Sequence, residues 1–325
     1  MNNRNTNLDM IKCIACFAVV GLHAEGMTDY TLYYLCGCGV PLFFMVNGYL
    51  MLSKDTVNYS YIGRKILQLL KIVFCWNLLI AIPVLLLRHK LVNPFTLSIN
   101  SLLQKGYLWH FWFFGALLIL YLILPPLHRF IKKDLRFHIL TLLILFIICM
   151  TDSQLSMASC SPLQASIPQS FRLWIWLFYF TVGGLIPMLM PIIRKIKPGT
   201  HTTLLILSAC LNDFANKRIG YYLLHERLAE YFYDEITSII FYILLFTLLM
   251  RIPLNTTIEK KVVSASSLTM GIFILHPILL TGIRSFYDPA RQFEVFAFWI
   301  WLTVLSALIV HFMLKIPLVR ELFRL

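Results

Sequence analysis

Ten apolar stretches separated by short charged or turn-rich breaks run along the chain. A bilayer-spanning helix needs about 20 mostly apolar residues, and the pattern predicts spans at 8–26, 32–52, 66–87, 110–127, 137–151, 173–191, 202–213, 236–252, 267–284 and 294–314. The fifth and seventh are short. A run of about 10 to 14 apolar residues does not cross the hydrocarbon unaided, so re-entrant or thinned segments are the alternatives there. No internal repeat, Gly/Ser linker or low-complexity tract interrupts the pattern, so the expectation is a single all-α, polytopic transmembrane domain over 1–325. The first stretch carries Lys12 and lacks a small-residue cleavage site after it, and so reads as a permanent helix.

Composition sharpens this reading. The 325 residues are 59% hydrophobic and 13% charged, with a mean hydropathy of +0.77. A soluble globular enzyme carries about a quarter charged residues, so that class is excluded, and disorder with it. The formal charge of +13 comes from 28 Lys and Arg against 15 Asp and Glu. With ten spans and a cytoplasmic N-terminus, most of those cations fall in cytoplasmic loops, which predicts that both termini are cytoplasmic. The excess then reflects loop bias and anionic lipid headgroups, not nucleic acid. On the outer side, 221–233 mixes Tyr221, Tyr222, Arg227, Glu230, Tyr231 and Tyr233, as an interfacial anchor or a substrate-facing loop would.

The eight cysteines do not make a metal site. Cys13, Cys16, Cys75, Cys149 and Cys210 sit in apolar runs, and the CxxC spacing of Cys13 and Cys16 has no second pair to complete it. Cys36, Cys38 and Cys160 share the predicted outer side, where pairing is open to them.

Ionisable groups inside apolar spans are costly and point to function. Lys12 and His23 are 11 positions apart, which places them within about 20° of one another on one helix face and about 16 Å apart. Asp9, one turn before Lys12, can neutralise it. A snorkelling lysine and an interfacial histidine are the plain alternatives; the shared face favours a joint role. A neutral imidazole suits a general base acting on a hydroxyl. Glu25 points to another face. His110, in Trp109-His110-Phe111-Trp112-Phe113, falls on the same predicted side as His23, either in an aromatic belt or in a substrate site. His276 precedes Pro277 in mid-span, which reads as a kink or packing role. Near the cytoplasmic end, Arg64, Lys65 and Lys71 suit an anionic cofactor, with positive-inside anchoring as the alternative.

These residues resemble the acyltransferase family 3 membrane proteins, which acylate sugars of surface glycans such as O-antigens, enterobacterial common antigen and peptidoglycan. Asn7-Leu8-Asp9-Met10-Ile11-Lys12, followed ten residues later by His23, is similar to the family's opening motif. Val40 to Tyr49 resembles the second-helix signature, His110-Phe111-Trp112-Phe113 an HLWF-like segment, and Gly271 to Pro277 the late histidine-proline helix. Two departures stand out: Asn47 occupies a position where many members have serine, and Leu67 a position where many have a second arginine.

The resemblance implies a multi-pass protein of the inner (plasma) membrane. It implies acetyl-CoA as acyl donor from the cytoplasmic side, a glycan or lipid-linked sugar as acceptor, and no metal. It implies His23 as catalytic residue with Lys12 as its motif partner, and Arg64 and Lys65 for the CoA phosphates. His110, Trp112, Asn47 and Tyr49 are the acceptor-side candidates. Direct transfer with His23 as base and an acyl-histidine intermediate both fit. A glycan exporter or flippase, and succinyl in place of acetyl transfer, are the competing readings. No fused hydrolase-like or racemase-like domain is expected, and the oligomeric state is left open.

Overall fold

The computed structural model describes residues 4–24, 30–287 and 291–323; Glu25 and the end of the first predicted span lie outside them. Among the described residues the structure is helical and contains no strand. The α-helices are α1 (Thr6–Ala24), α2 (Tyr30–Cys36), α3 (Gly39–Leu52), α4 (Tyr59–Arg88), α5 (Pro94–Leu102), α6 (Trp112–Lys133) and α7 (Leu135–Ala158). They continue as α8 (Leu173–Ile193), α9 (Pro198–Arg218), α10 (Ile236–Leu249), α11 (Thr256–Ser266), α12 (Thr269–Arg284), α13 (Gln292–Met313) and α14 (Pro317–Arg320). Their starts follow from the sequence. Asn58, Asn93, Asp134 and Asn255 each accept a hydrogen bond from a backbone N–H one turn or less into α4, α5, α7 and α11, and Pro94 opens α5 where a missing N–H costs nothing.

Among the described residues seven helices are long and apolar enough to cross a membrane, and an eighth if α11 and α12, bent by 49° at their junction, form one span. The two further predicted spans correspond to α9 and α10. Helix α10 is apolar but has 14 residues. Helix α9 is long, yet carries Asn212 and Asn216, whose amides meet Ser238 of α10 at 2.6 and 3.2 Å. Such polar contacts join helices where no apolar driving force does, and they remove α9 from any apolar pattern.

The fifth predicted stretch, expected to be short, is a full helix of 24 residues. It extends past the apolar run because its polar end is buried and paired: the Ser153 hydroxyl donates to Glu235 at 2.5 Å. Exposed Leu140, Leu143, Ile144 and Ile147 give α7 an outward apolar face suited to lipid.

Helix α1 is the hub, packed against α3, α11, α12 and α13. Trp299 of α13 stacks on Phe17 at 4.2 Å and donates its indole N–H to the Phe17 carbonyl at 2.8 Å. Helices α3 and α8 lie in the closest approach: a Cβ on Gly183 would stand 2.0 Å from the Met45 carbonyl oxygen, and one on Gly48 would strike Phe180. Small residues at such crossings let backbones touch. The C-terminal segment returns to α4, where Trp76 donates to the Leu322 carbonyl at 3.2 Å. Cys36, Cys38 and Cys160 form no disulfide with one another among the described residues, so the pairing left open to them is not formed.

Candidate active site

The polar foot of α1 is organised by Asp9, which is 2% exposed. Its carboxylate accepts from Arg4 at 2.5 Å, Lys12 at 3.3 Å and the Ser266 hydroxyl at 2.9 Å. A buried carboxylate is tolerated only with such partners, and here it fixes two cations at the rim of a cavity of about 790 Å³. Lys65 of α4 and Arg320 of α14 line the same cavity. Its other walls are mainly apolar, with Phe43 and Val46 of α3, Phe113 and Phe114 of α6, and Phe273 of α12. The result is a chamber that is cationic at one end and aromatic at the other.

The aromatic end abuts three histidines. Phe273 lies 5.4 Å from the ring of His110 and 6.3 Å from that of His276. His276 stacks on His23 at 5.2 Å, and Trp109 meets His23 edge-on at 5.1 Å. Elsewhere the buried histidines are tied to backbone: His128 to the Lys54 carbonyl at 2.9 Å, His138 to the Thr181 carbonyl at 2.9 Å. His110 differs, being 1% exposed with neither ring nitrogen in a well-formed hydrogen bond among the described residues. His276 donates from Nδ1 to the Ile272 carbonyl at 2.8 Å and leaves Nε2 buried without a well-formed hydrogen bond among the described residues. A buried polar atom without a partner costs about 1–3 kcal/mol. Imidazole nitrogens held this loosely, beside a half-buried third ring, are available to a hydrogen-bonding ligand. Arg284 caps the end of α1 by donating to the His23 carbonyl at 3.2 Å, which fixes the backbone that carries His23.

Of the residues singled out from sequence, Lys12, Lys65 and Asn47 line the chamber, and His23 with His110 joins the histidine cluster. Asn47 is held by the Phe43 carbonyl at 2.9 Å and by the Tyr121 hydroxyl at 3.3 Å. Arg64 is exposed and does not line the chamber. Tyr49 lines a separate cavity of about 320 Å³ with Asn5, Asn7 and Arg194, and Trp112 stacks on Trp176 at 5.2 Å, away from the chamber wall. His276, read from sequence as a packing residue, stands in ring contact with His23. Its signal was present, an ionisable group in mid-span, but its neighbour is 253 residues away in the chain.

A profile described as an acyltransferase domain matches residues 5–314. The chain belongs to acyltransferase family 3. It is also 22% identical over 311 residues to a protein of Enterococcus faecalis named as an amino-acid racemase, covering 88% of this chain and 42% of that one. The chain thus spans less than half the length of that relative. No solved structure matches.

The acyltransferase family 3 match runs from the start of the polar foot to just past α13, so it takes in the histidine cluster and, of the chamber cations, Lys12 and Lys65, while Arg4 and Arg320 fall outside it. Outside the spans, the segment 229–235 closes over the ends of α7 and α8. Arg172, 2% exposed, lies 3.6 Å from Glu230. Gln164 donates to both Asp234 oxygens at 3.0 Å. Burial pushes the carboxyls of Glu230, Asp234 and Glu235 up from their ordinary values, and for Asp234 the neighbouring Asp152 adds to the rise. Tyr233 is packed against Trp176 while Tyr221 and Tyr222 are exposed, so this region combines an anchor with a buried latch.

Proposed function

We propose that this acyltransferase moves an acetyl group from acetyl-CoA to a hydroxyl of a cell-surface or lipid-linked glycan. The observation that carries the reading is the chamber, with cations at one end and a histidine cluster behind its aromatic end. A donor with a phosphate-bearing head and a neutral acyl tip matches that polarity, since Arg and Lys bind phosphates by charge and hydrogen bonding. A volume of about 790 Å³ falls in the range of cavities that enclose whole small ligands. Arg4, Lys12, Lys65 and Arg320 hold the donor head, and no metal enters the scheme.

In this scheme the acyl carbonyl reaches His23. The imidazole takes the proton of the acceptor hydroxyl as that oxygen attacks the thioester carbon, and the departing thiolate receives the proton as thiol. General-base assistance of this kind is worth about 10²- to 10⁴-fold. The acceptor approaches from the end of α1 that carries His23, opposite the cationic mouth.

The membrane arrangement goes with this. A cationic mouth favours the cytoplasmic face of the inner (plasma) membrane, and in this reading α9 and α10 complete ten spans and both termini are cytoplasmic. Residues 1–325 act as one transmembrane domain.

Labelled acetyl-CoA supplied to membranes containing the protein tests the reading. Label should enter the glycan fraction with wild type and be absent with His23→Ala at matched protein level. A glycan exporter needs no thioester, so unchanged thioester in both samples with altered glycan export contradicts acetyl transfer. Succinyl transfer, the other competing reading, calls for a cation near the acyl tip; the chamber's inner wall is aromatic, and the cation beside His23, Arg284, is bonded to the carbonyls that end α1.

A further inference from the structure

The cationic mouth and the histidines do not share one open space. Between them stands an aromatic partition built from two helices. Phe113 and Phe114 project from α6 and Phe273 from α12, with Phe273 5.7 and 5.4 Å from the other two rings. All three line the chamber. On its far side Phe273 touches His110 and His276. Phe113 is itself 4.9 Å from Phe44, and Phe114 4.9 Å from Phe111, so two of the partition's rings are backed by buried aromatics and cannot swing aside freely.

Phe273 is different. It is half-buried, on the chamber side of α12, and its ring is the member in contact with both the chamber and the imidazoles. Its backbone is fixed. A Cβ on Gly271 would stand 2.5 Å from Val310 of α13, so the helix already sits at closest approach. Pro277 lacks the N–H that would bond the Phe273 carbonyl.

We infer that Phe273 sets the length of the acyl group this protein transfers, its ring filling the space that a chain longer than acetyl would need beside His110 and His276, the latter stacked on His23. The inference rests on the donor occupying the chamber as proposed above. With the phosphates at Arg4, Lys12, Lys65 and Arg320, the acyl tip is the part of the donor that meets this wall. A two-carbon acyl group passes edge-on along the Phe273 ring. A chain of four or six carbons collides with a wall whose other two members are held from behind.

The test compares acetyl-, butyryl- and hexanoyl-CoA as donors to the membrane glycan fraction, with wild type, Phe273→Ala and Phe273→Leu. Wild type should transfer acetyl at least tenfold faster than hexanoyl. In Phe273→Ala the hexanoyl-to-acetyl ratio should rise at least tenfold, with Phe273→Leu between the two; the leucine variant keeps the experiment decisive if alanine lowers the amount of folded protein, because the readout is a ratio within one sample. A ratio within twofold of wild type in both variants overturns the inference, as does a wild type that uses hexanoyl-CoA as readily as acetyl-CoA. If wild type transfers nothing from any of the three donors, the donor reading fails and the inference falls with it. That outcome is distinct from transfer without length selection.

Discussion

Asp9 shows how much one buried charge decides. It is nearly inaccessible and gathers Arg4, Lys12 and Ser266 around one carboxylate, so the two cations point into the chamber because the acid holds them there. Removing one partner of a fully buried charge pair costs about 3–5 kcal/mol, and less here because Arg4 and Lys12 remain partly in solvent. Asp9→Asn should therefore lower thermal stability in detergent and also raise the donor KM, as Arg4 and Lys12 lose their anchor; unchanged melting and unchanged donor titration would contradict this. Arg320→Met leaves the network intact while removing one chamber cation. We expect its donor KM to rise roughly tenfold, about 1.4 kcal/mol, at little changed kcat, measured by initial rates over a donor series. The Asp9–Lys12 pairing and the alignment of Lys12 with His23 were legible in sequence, because both are set by helical periodicity. Ser266 and Arg320 were not, since each arrives through tertiary folding from α11 or from α14, and Arg4, though five residues from Asp9, reaches it from the irregular segment before α1, where helical periodicity does not apply. Arg64 read as a phosphate ligand because charge patterning marks a helix start but not the direction in which a side chain faces.

The elements show where pattern reading succeeds and where it stops. Apolar runs located the helices well, and the structure lengthened α7 and made α9 polar for one reason: both bury side chains that hydrogen-bond across to other elements. The α3–α8 crossing depends on glycine, and Gly183→Leu should cost at least about 3 kcal/mol by overpacking, read as loss of monodisperse protein after solubilisation; normal yield and melting would contradict the close approach. The latch over α7 makes a pH prediction. Below the ordinary Asp value of 3.8, Asp234 is protonated in the folded and the unfolded chain alike and costs nothing. Above it the unfolded chain ionises while the folded Asp234 keeps its proton up to a raised value, so the folded state binds more protons and stability falls as pH rises. Glu230 and Glu235, raised from 4.5, act in the same direction. Melting temperature should decline from pH 5 to pH 8, with a slope of at most about 1.4 kcal/mol per unit from Asp234, and Asp234→Asn should flatten it. An unchanged slope would show that Asp234 does not carry the effect.

At the scale of the whole molecule, an amphiphilic chamber reaches from a cationic mouth toward a buried imidazole cluster, within a bundle whose outer helices present apolar faces. The proposed topology puts that mouth at the cytoplasmic face, so tags at the two termini should be accessible to protease from the same side, in inverted but not in right-side-out vesicles. Opposite sides would require an odd number of spans and remove α9 or α10 from the membrane. In the proposed mechanism the chamber binds the donor and His23 acts on it, two functions held by different ends of one structure. The most direct measurement is acetyl-CoA binding by the purified protein, made alongside thiol release in the presence of acceptor membranes, for wild type and His23→Ala. The variant should bind acetyl-CoA within about threefold of wild type, less than 1 kcal/mol, while thiol release falls by about a hundredfold or more. Thiol release within tenfold of wild type would contradict it.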